Sequence, residues 1–147
     1  MSIKETSKYW FGLAAGMIYI LFGVLQVVYS MMDWDHVLFP PDIIGGLVLI
    51  IIGLVFLTGA KELSKGIHEG VAYIYVGIFL GVIFGLIFLM MMGANAVEAY
   101  AFDNEDFIRW TPIDDAGPQL YLSLIPFIGM IRWRSKFSVK KLSRAGV

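Results

Sequence analysis

The 147-residue chain contains no cysteine and few charged residues. The absence of cysteine excludes disulfide-stapled loops, thiol nucleophiles, thiolate metal sites and thiol-based electron relays. Charged residues make up 16% of the chain, whereas a soluble domain carries about a quarter. Hydrophobic residues make up 59%, and the mean hydropathy is +0.77. This composition indicates an integral membrane protein.

Ionisable residues are also missing from the interiors of the long apolar stretches. Membrane enzymes and ion carriers usually retain such a residue inside the apolar zone, because it is too costly to keep without a use. The two histidines, His36 and His68, lie in connections, where neither suits an in-membrane haem ligand. Asp33, Asp35 and His36 could offer ligands to a divalent cation. Asp42 or a carboxylate of the second outer connection could join them. This metal signal is weak, because acidic outer connections also arise without a metal. We therefore expect no catalytic residue, no cofactor and no resident metal, although an interfacial lipid-modifying enzyme stays open.

Four apolar stretches divide the chain. Backbone amides in hydrocarbon must be satisfied within their own segment, so each stretch should be an α-helix. Three of them reach the ~20 residues that a bilayer requires, and the fourth covers only about 22 Å of a core of about 30 Å. The sequence thus predicts an all-α bundle of four transmembrane helices in a single membrane domain, residues 1–147. The expected spans are about 9–32, 42–60, 71–97 and 118–133, followed by a basic tail, 134–147.

Basic and acidic residues separate into alternate connections. The N-terminus, the connection after the second span and the C-terminal tail carry ten basic and three acidic residues, a net charge of +7. The other two connections carry one basic and nine acidic residues, a net charge of −8. Because short cationic segments resist translocation, this predicts a cell-membrane protein with both termini cytoplasmic. Interfacial aromatic residues predict the same ends, with Tyr9, Trp10 and Trp133 inside and Trp34, Tyr100 and Trp110 outside.

Glycines recur at four-residue spacing in two of the predicted spans. Such spacing places them on one helix face, and a small-xxx-small stripe lets backbones approach closely in lipid. We expect the third span to be the central helix, with the first span or another subunit against its glycine face. The predicted packing glycines are Gly12 and Gly16 in the first span and Gly77, Gly81 and Gly85 in the third.

A short internal similarity relates the first and third spans. Residues 16–23 and 70–77 share the pattern G-x-x-Y-I-x-x-G at an offset of 54 residues. Because both spans would begin on the inner side, a duplicated two-helix hairpin would give a parallel repeat. Duplication and chance similarity between apolar helices both stay open.

A few polar residues interrupt the apolar spans. Gln26 lies in the first span, Asn95 near the outer end of the third, and Ser123 and Pro126 in the fourth. Pro126 should remove one backbone hydrogen bond and kink its helix, and Ser123 is placed to help satisfy the released carbonyl. Two interpretations are open: interhelical hydrogen bonds in a packed bundle, or polar groups beside a transporter cavity at a broken helix.

The second outer connection and the C-terminal tail are the remaining candidate surfaces. The connection, residues 98–117, interleaves aromatic and acidic residues and suits either interfacial anchoring or contact with a partner. The tail combines basic and apolar residues, which favours anionic lipid headgroups, and its basic run is too short to predict nucleic-acid binding. The predicted headgroup-binding residues are Arg132, Arg134, Lys136, Lys140, Lys141 and Arg144.

Two functional hypotheses follow from these patterns. The first is a non-catalytic structural or accessory subunit that packs through its glycine faces against itself or a larger membrane complex. The second is a small oligomeric transporter or channel for an ion or small solute that uses Gln26, Asn95 and the kink at Pro126. Tetraspanin-like and claudin-like proteins have the same topology, but the cysteines that define their outer loops are absent here.

Overall fold

The computed structural model describes residues 3–32, 41–102 and 109–134. Every regular element in this part of the chain is a helix, which confirms the predicted all-α class. In chain order the helices are α1 (Ile3–Met31), α2 (Ile43–Ser64), α3 (Gly70–Ala101), α4 (Pro118–Leu122) and α5 (Leu124–Arg132).

Three helices of the described chain, α1, α2 and α3, are long and apolar enough to cross a membrane. The predicted fourth span forms two short helices instead of one. The nine residues of α5 cover only about 14 Å at 1.5 Å per residue, less than half of a bilayer core. Four spans therefore stay a prediction, and the structure gives three long helices and an interrupted segment.

Glycine-to-backbone contact holds α1 and α2 together. Gly16 faces Gly53 and Gly23 faces Gly46, so the two helices run antiparallel in a fixed register. A methyl group added to any of these four glycines would lie 2.7 to 3.0 Å from the carbonyl oxygen of its partner. Each helix places its two glycines seven residues apart, which is two turns of one face. No larger residue fits this seam without separating the backbones.

A glycine turn connects α2 to α3. The amide of Ile67 donates to the Glu62 carbonyl, and the amide of Gly66 donates to the Leu63 carbonyl. This is the Schellman pattern, whose residue after the helix adopts a left-handed conformation that favours glycine. Gly66 has φ +78°. The turn reverses the chain and starts α3 beside the end of α2, where Gly70 packs against Gly59.

The glycine face of α3 packs mainly on α2, α4 and α5 rather than on α1. Gly77 faces the ring of Phe56 in α2, and Gly81 faces Pro126 in α5. Gly85 faces the side chain of Ser123, between α4 and α5. The first span, which was expected against this face, contributes Tyr19 beside Gly81, but α2, α4 and α5 cover most of the face. The general premise of the prediction does hold at this face: helices that pack closely in lipid need small residues where they meet.

The interruption between α4 and α5 follows from Pro126. Proline has no amide hydrogen and clashes with the carbonyl four residues earlier, which is that of Leu122. The hydroxyl of Tyr19, from α1, donates to this carbonyl at 3.0 Å in the buried core. Ser123 does not have the predicted role, because its hydroxyl donates to the Leu120 carbonyl instead. A side chain from a distant helix therefore compensates for the break.

The core of the described helices lies where α1, α2 and α3 meet. Its fully buried side chains include Tyr19, Phe56 and Ile74. The outward faces remain apolar, with Leu21, Ile51 and many similar side chains exposed. Such a surface is stable in hydrocarbon and unstable in water, because lipid removes the cost of exposing apolar area.

Candidate functional site

Polar side chains collect at one end of the helices, where α1 and α3 end and α2 and α4 begin. We call this the acidic end, because Asp42, Glu98, Asp114 and Asp115 lie there. The opposite end, the basic end, holds Lys8, Lys61, Lys65, Arg132 and Arg134.

A buried amide pair forms the deepest part of the acidic end. Gln26 of α1 is 0% exposed and Gln119 of α4 is 3% exposed. The Nε2 of Gln119 donates to the Oε1 of Gln26 at 2.7 Å. The same Nε2 lies 3.5 Å from Oδ2 of Asp42. The pair thus links α1 to α4 beside the start of α2.

Asp42 has a second role, as the N-cap of α2. Its Oδ1 accepts a hydrogen bond from the Gly45 amide at 2.8 Å. A capping carboxylate satisfies one of the open amides of the first turn and is favoured by the positive end of the helix dipole. One carboxylate oxygen is therefore committed to the helix, and the other faces the buried amide of Gln119.

A second group of hydrogen bonds joins the end of α3 to the segment before α4. Oδ2 of Asp115 accepts from Nδ2 of Asn95 at 2.8 Å and from Nε1 of Trp110 at 3.0 Å. Oδ2 of Asp114 accepts from the amide of Thr111 at 2.7 Å and from its hydroxyl. These bonds place two carboxylates over the amide pair.

Both groups surround a cavity of about 180 Å³. A water molecule has a share of about 30 Å³ of liquid volume, so the cavity has room for several waters or a small solute. We call it the amide–carboxylate pocket. Its lining residues are Gln26, Asp42, Phe88, Met91, Met92, Asn95, Asp114, Asp115, Gly117 and Gln119.

Oε1 of Gln119 is a polar atom of this pocket that has no hydrogen-bond partner among the described residues. This oxygen is buried. Leaving a buried acceptor unpaired costs about 1–3 kcal/mol, so native proteins usually supply a donor. The amide cannot simply be reversed, because its oxygen would then face Oε1 of Gln26 and Oδ2 of Asp42. The arrangement leaves an acceptor for a molecule from outside the chain.

The predicted cavity residues separate in the structure. Gln26 and Asn95 line the amide–carboxylate pocket, whereas Ser123 and Pro126 lie elsewhere, facing Gly85 and Gly81. Sequence reasoning missed Gln119, although a glutamine inside the fourth apolar span was a visible signal. It also did not foresee that Asp42 would face the amide of Gln119, because that depends on the position of α4 in the folded bundle.

The predicted packing glycines, headgroup-binding residues and metal-signal residues lie in different parts of the chain. Gly12, Gly16, Gly77, Gly81 and Gly85 are all buried within the single chain. Arg132 and Arg134 are exposed at the basic end. Outside the described residues lie Asp33, Asp35 and His36 of the weak metal signal, together with Lys136, Lys140, Lys141 and Arg144 of the tail.

Aromatic and charged side chains contact one another at the basic end. Nζ of Lys8 lies 5.0 Å from the ring centre of Tyr75, within the range of a cation–π interaction. Nδ1 of His68 contacts Oε1 of Glu5, an ion pair whenever the imidazole is protonated. Phe11 and Trp133 pack edge to face with ring centres 5.1 Å apart. These contacts join α1 to the other helices without forming a polar cavity like that of the acidic end.

An apolar groove lies on the side of the bundle between α3 and the short helices. Its volume is about 520 Å³, and its walls include Leu86, Leu89, Leu124 and Phe127. The lining residues come from α3, from α4 and α5, and from Ser123 between the two short helices. We call it the lateral groove.

Metal ligation has little support in the described residues, which contain no group of three or more His, Cys, Asp or Glu side chains placed to hold a metal ion. The carboxylates of the pocket are instead engaged by amide, indole and hydroxyl donors.

Comparison with known proteins gives a family. The family model of the MJ0565 integral membrane domain matches residues 2–135, nearly the whole chain. The chain belongs to this family. The match, together with the three long apolar helices, shows that the protein is an integral membrane protein in contact with the lipid bilayer. No curated protein and no solved structure matches the chain.

Proposed function

We propose that the protein is a small membrane transporter or channel that binds a polar solute in the amide–carboxylate pocket. The observation that carries this proposal is the unpaired Oε1 of Gln119 beside the buried Gln26. A bundle that needed only packing would gain nothing from an acceptor without a donor at this depth. A solute or its water would supply the donor.

The interrupted fourth segment fits a moving gate. Transporters often form their sites at discontinuous helices, which can shift without breaking a continuous backbone ladder. Gln119 lies in α4, while the break at Ser123 separates α4 from α5. A hinge at this position would move one wall of the pocket and leave α1, α2 and α3 in place.

The side of the pocket toward the basic end is closed in this structure. Tyr19 lies seven residues before Gln26 on the same face of α1, and it bonds to the Leu122 carbonyl. Phe56 packs beside Tyr19, with ring centres 5.9 Å apart. In the proposed mechanism, this layer separates the pocket from the other side of the membrane until α4 and α5 move.

The orientation of the chain is part of the proposal. The charge pattern supports cytoplasmic termini, with the pocket open toward the outside and Arg132 and Arg134 near anionic headgroups of the inner leaflet. Glycosylation acceptors or protease sites placed near Lys65 and at the C-terminus should report the same side. If they report opposite sides, the orientation is wrong.

Flux into proteoliposomes tests the function. The purified full chain should carry one or more solutes from a panel of small cations and neutral amides, measured by light scattering and by radiolabel uptake. Gln26→Leu and Asn95→Leu should each lower that flux at least about tenfold, because each removes a polar wall and leaves its partner unpaired. Thr58→Val is the matched control, since Thr58 is exposed on α2 and bonds only within its own helix, to Leu54.

Two results would contradict this proposal. One is the absence of flux for every member of the panel when the reconstituted protein has its helical circular-dichroism spectrum. The other is equal loss of flux in Thr58→Val and in the two pocket variants, since that would reflect general damage to the bundle.

An accessory subunit is the second candidate, and the lateral groove is the observation that favours it. Association through the predicted glycine faces conflicts with the structure, because those glycines are already covered within one chain. The lateral groove, in contrast, is apolar, open and large enough for side chains of a neighbouring helix. An isolated monomer in mild detergent that retains no protein from its native membrane would count against this candidate.

A further inference from the structure

Four donors around the amide–carboxylate pocket already make hydrogen bonds within the protein. The amide of Asn95 and the indole of Trp110 both donate to Asp115. The amide of Gln119 donates to Gln26, and the backbone amide of Gly45 donates to Asp42. A ligand that needs donors from the protein, such as an anion, would compete for them with the Asp42 and Asp115 carboxylates and with Gln26.

Acceptors, in contrast, remain. Within the part of the chain that the structure describes, Oε1 of Gln119 accepts no hydrogen bond, and the side-chain amide that faces Oδ2 of Asp42 lies 3.5 Å away, the outer limit of a hydrogen bond. Both residues line the same cavity. The ligand that best completes the pocket is therefore one that brings hydrogen-bond donors of its own.

The charge of the pocket also favours a ligand that carries hydrogen-bond donors. Three carboxylates line the pocket, Asp42, Asp114 and Asp115, and none of the described lining residues is basic. Negative charge in a partly dry cleft attracts cations more strongly than the same charge in water. The pocket should accordingly favour a positively charged solute over a neutral solute of equal size.

The surrounding residues decide between a metal ion and an ammonium ion. The described residues do not bring three metal-ligating side chains together, so the carboxylates do not converge as a hard cation requires. Phe88, Met91 and Met92 form the remaining wall, and an aromatic face with polarizable thioethers suits an ammonium group with a small apolar part. We propose that the pocket takes a small ammonium ion, either ammonium itself or a short alkylammonium. This assignment rests on the proposed function and names the solute class.

Binding of methylammonium to the full-length chain tests the assignment. Radiolabelled methylammonium is measured on the detergent-purified protein by scintillation proximity, with unlabelled competitors added at equal concentration. Ammonium should displace it. Acetamide, which is neutral and of comparable size, should displace it at least about tenfold less well, because it lacks the charge. Potassium and magnesium ions should also compete poorly, since they offer no hydrogen-bond donors.

Two pocket variants and one control locate the site. Asp42→Asn keeps a good N-cap for α2 and removes one charge, and it should weaken methylammonium binding about tenfold or more. Asp115→Asn is the second charge-removing variant and should weaken binding similarly. Glu98→Gln removes an exposed charge at the same end outside the pocket lining and should bind like the original chain. Helical circular dichroism and a single size-exclusion peak show which variants are folded.

The outcomes separate this inference from the proposed function. If acetamide binds and crosses the membrane while methylammonium does neither, the transporter proposal holds and the ammonium assignment is wrong. If potassium or magnesium displaces methylammonium as well as ammonium does, the site takes cations without regard to donors, and the assignment is also wrong. Unchanged binding in folded Asp42→Asn and Asp115→Asn overturns it as well. If no solute binds or crosses, both proposals fail.

Discussion

The α1–α2 hairpin is held at glycine-to-backbone distance, whereas α3 meets α4 and α5 through side chains and leaves open space on two sides. In the first half, Gly16 with Gly53 and Gly23 with Gly46 bring the backbones together over two turns. In the second half, the amide–carboxylate pocket and the lateral groove flank the interrupted segment. The comparison shows a tight scaffold beside a looser element, and the proposed site lies between them.

The internal similarity between residues 16–23 and 70–77 allows equivalent positions in α1 and α3 to be compared. Tyr19 and Tyr73 have equivalent places in the repeated pattern, but Tyr19 is 1% exposed and Tyr73 is 43% exposed. Gly23 packs against a glycine, whereas its counterpart Gly77 packs against the ring of Phe56. The same residues therefore have different surroundings in the two halves. The duplicated hairpin stays a prediction, since a shared pattern in apolar helices fits chance as well.

The largest expected effect is on the glycine seam. Gly53→Ala would place a methyl group 2.9 Å from the Gly16 carbonyl oxygen and 2.6 Å from Cγ1 of Ile20. We expect it to lower the free energy of unfolding by about 1–3 kcal/mol, because the backbones must separate. Unfolding in mixed micelles, followed by circular dichroism, measures the change.

The matched control for this variant is Gly93→Ala. Gly93 lies in α3 with no atom within 4 Å of the added methyl group. This variant should leave stability unchanged or raise it slightly, since alanine favours helix more than glycine does. Equal losses in both variants would mean that the seam is no tighter than an open helix face.

A smaller effect is expected where the two halves are joined by Tyr19. Tyr19→Phe leaves the Leu122 carbonyl without its donor and should cost about 1–2 kcal/mol of stability. Tyr73→Phe, at the equivalent exposed place of the repeat, should cost almost nothing. The same micelle titration compares the two variants.

A further variant, Pro126→Ala, tests whether the Tyr19 hydroxyl compensates for the backbone hydrogen bond that the proline removes. Alanine restores a backbone amide that can bond to the Leu122 carbonyl, so the loss from Tyr19→Phe should shrink in the Pro126→Ala background. A double-mutant cycle measures the coupling. A coupling near zero would mean that the tyrosine hydroxyl does not compensate for the proline break.

The smallest expected effect concerns the amide pair. Gln26→Leu should cost about 0.6 kcal/mol, the average for hydrogen bonds between membrane helices, and no more than the maximum of about 1.7 kcal/mol. Gln26→Leu with Gln119→Leu should cost less than the sum of the single changes, because the double variant leaves neither amide of the pair without the other. Additive losses in the micelle titration would show that the 2.7 Å contact between the two side chains does not form in solution.

Much of the fold could be predicted from the sequence. The long apolar stretches predicted helices, and α1, α2 and α3 are long and apolar enough to span a membrane. The shortness of the fourth stretch and its Pro126 predicted a kinked helix, and the structure shows an interruption at Ser123. The four-residue glycine stripe of α3 was visible, but the seven-residue pairs of the α1–α2 seam were not recognised, because their regularity appears only when both helices are aligned.

The candidate site was harder to predict. Gln26 and Asn95 were recognised because a polar residue is conspicuous in an apolar span. Gln119 was missed, since it lies at the border of a connection. Asp42 was considered only as a further ligand of the weak metal signal, and its contact with Gln119 was not foreseen. The two residues become a site only when α4 lies against α1 and the start of α2, which is a matter of packing between residues 93 positions apart.

The sequence by itself determined the solvent and the class of this protein. Few charges and long apolar runs require lipid around the chain, and backbone amides in lipid require helices. Only the tertiary structure decided which helices touch, which glycine faces which carbonyl, and which polar atoms meet. Apolar side chains are nearly interchangeable in lipid, so composition cannot specify neighbours. Close backbone approach and the pairing of a few buried polar groups can specify which helices are neighbours, because both depend on position to within a fraction of an ångström.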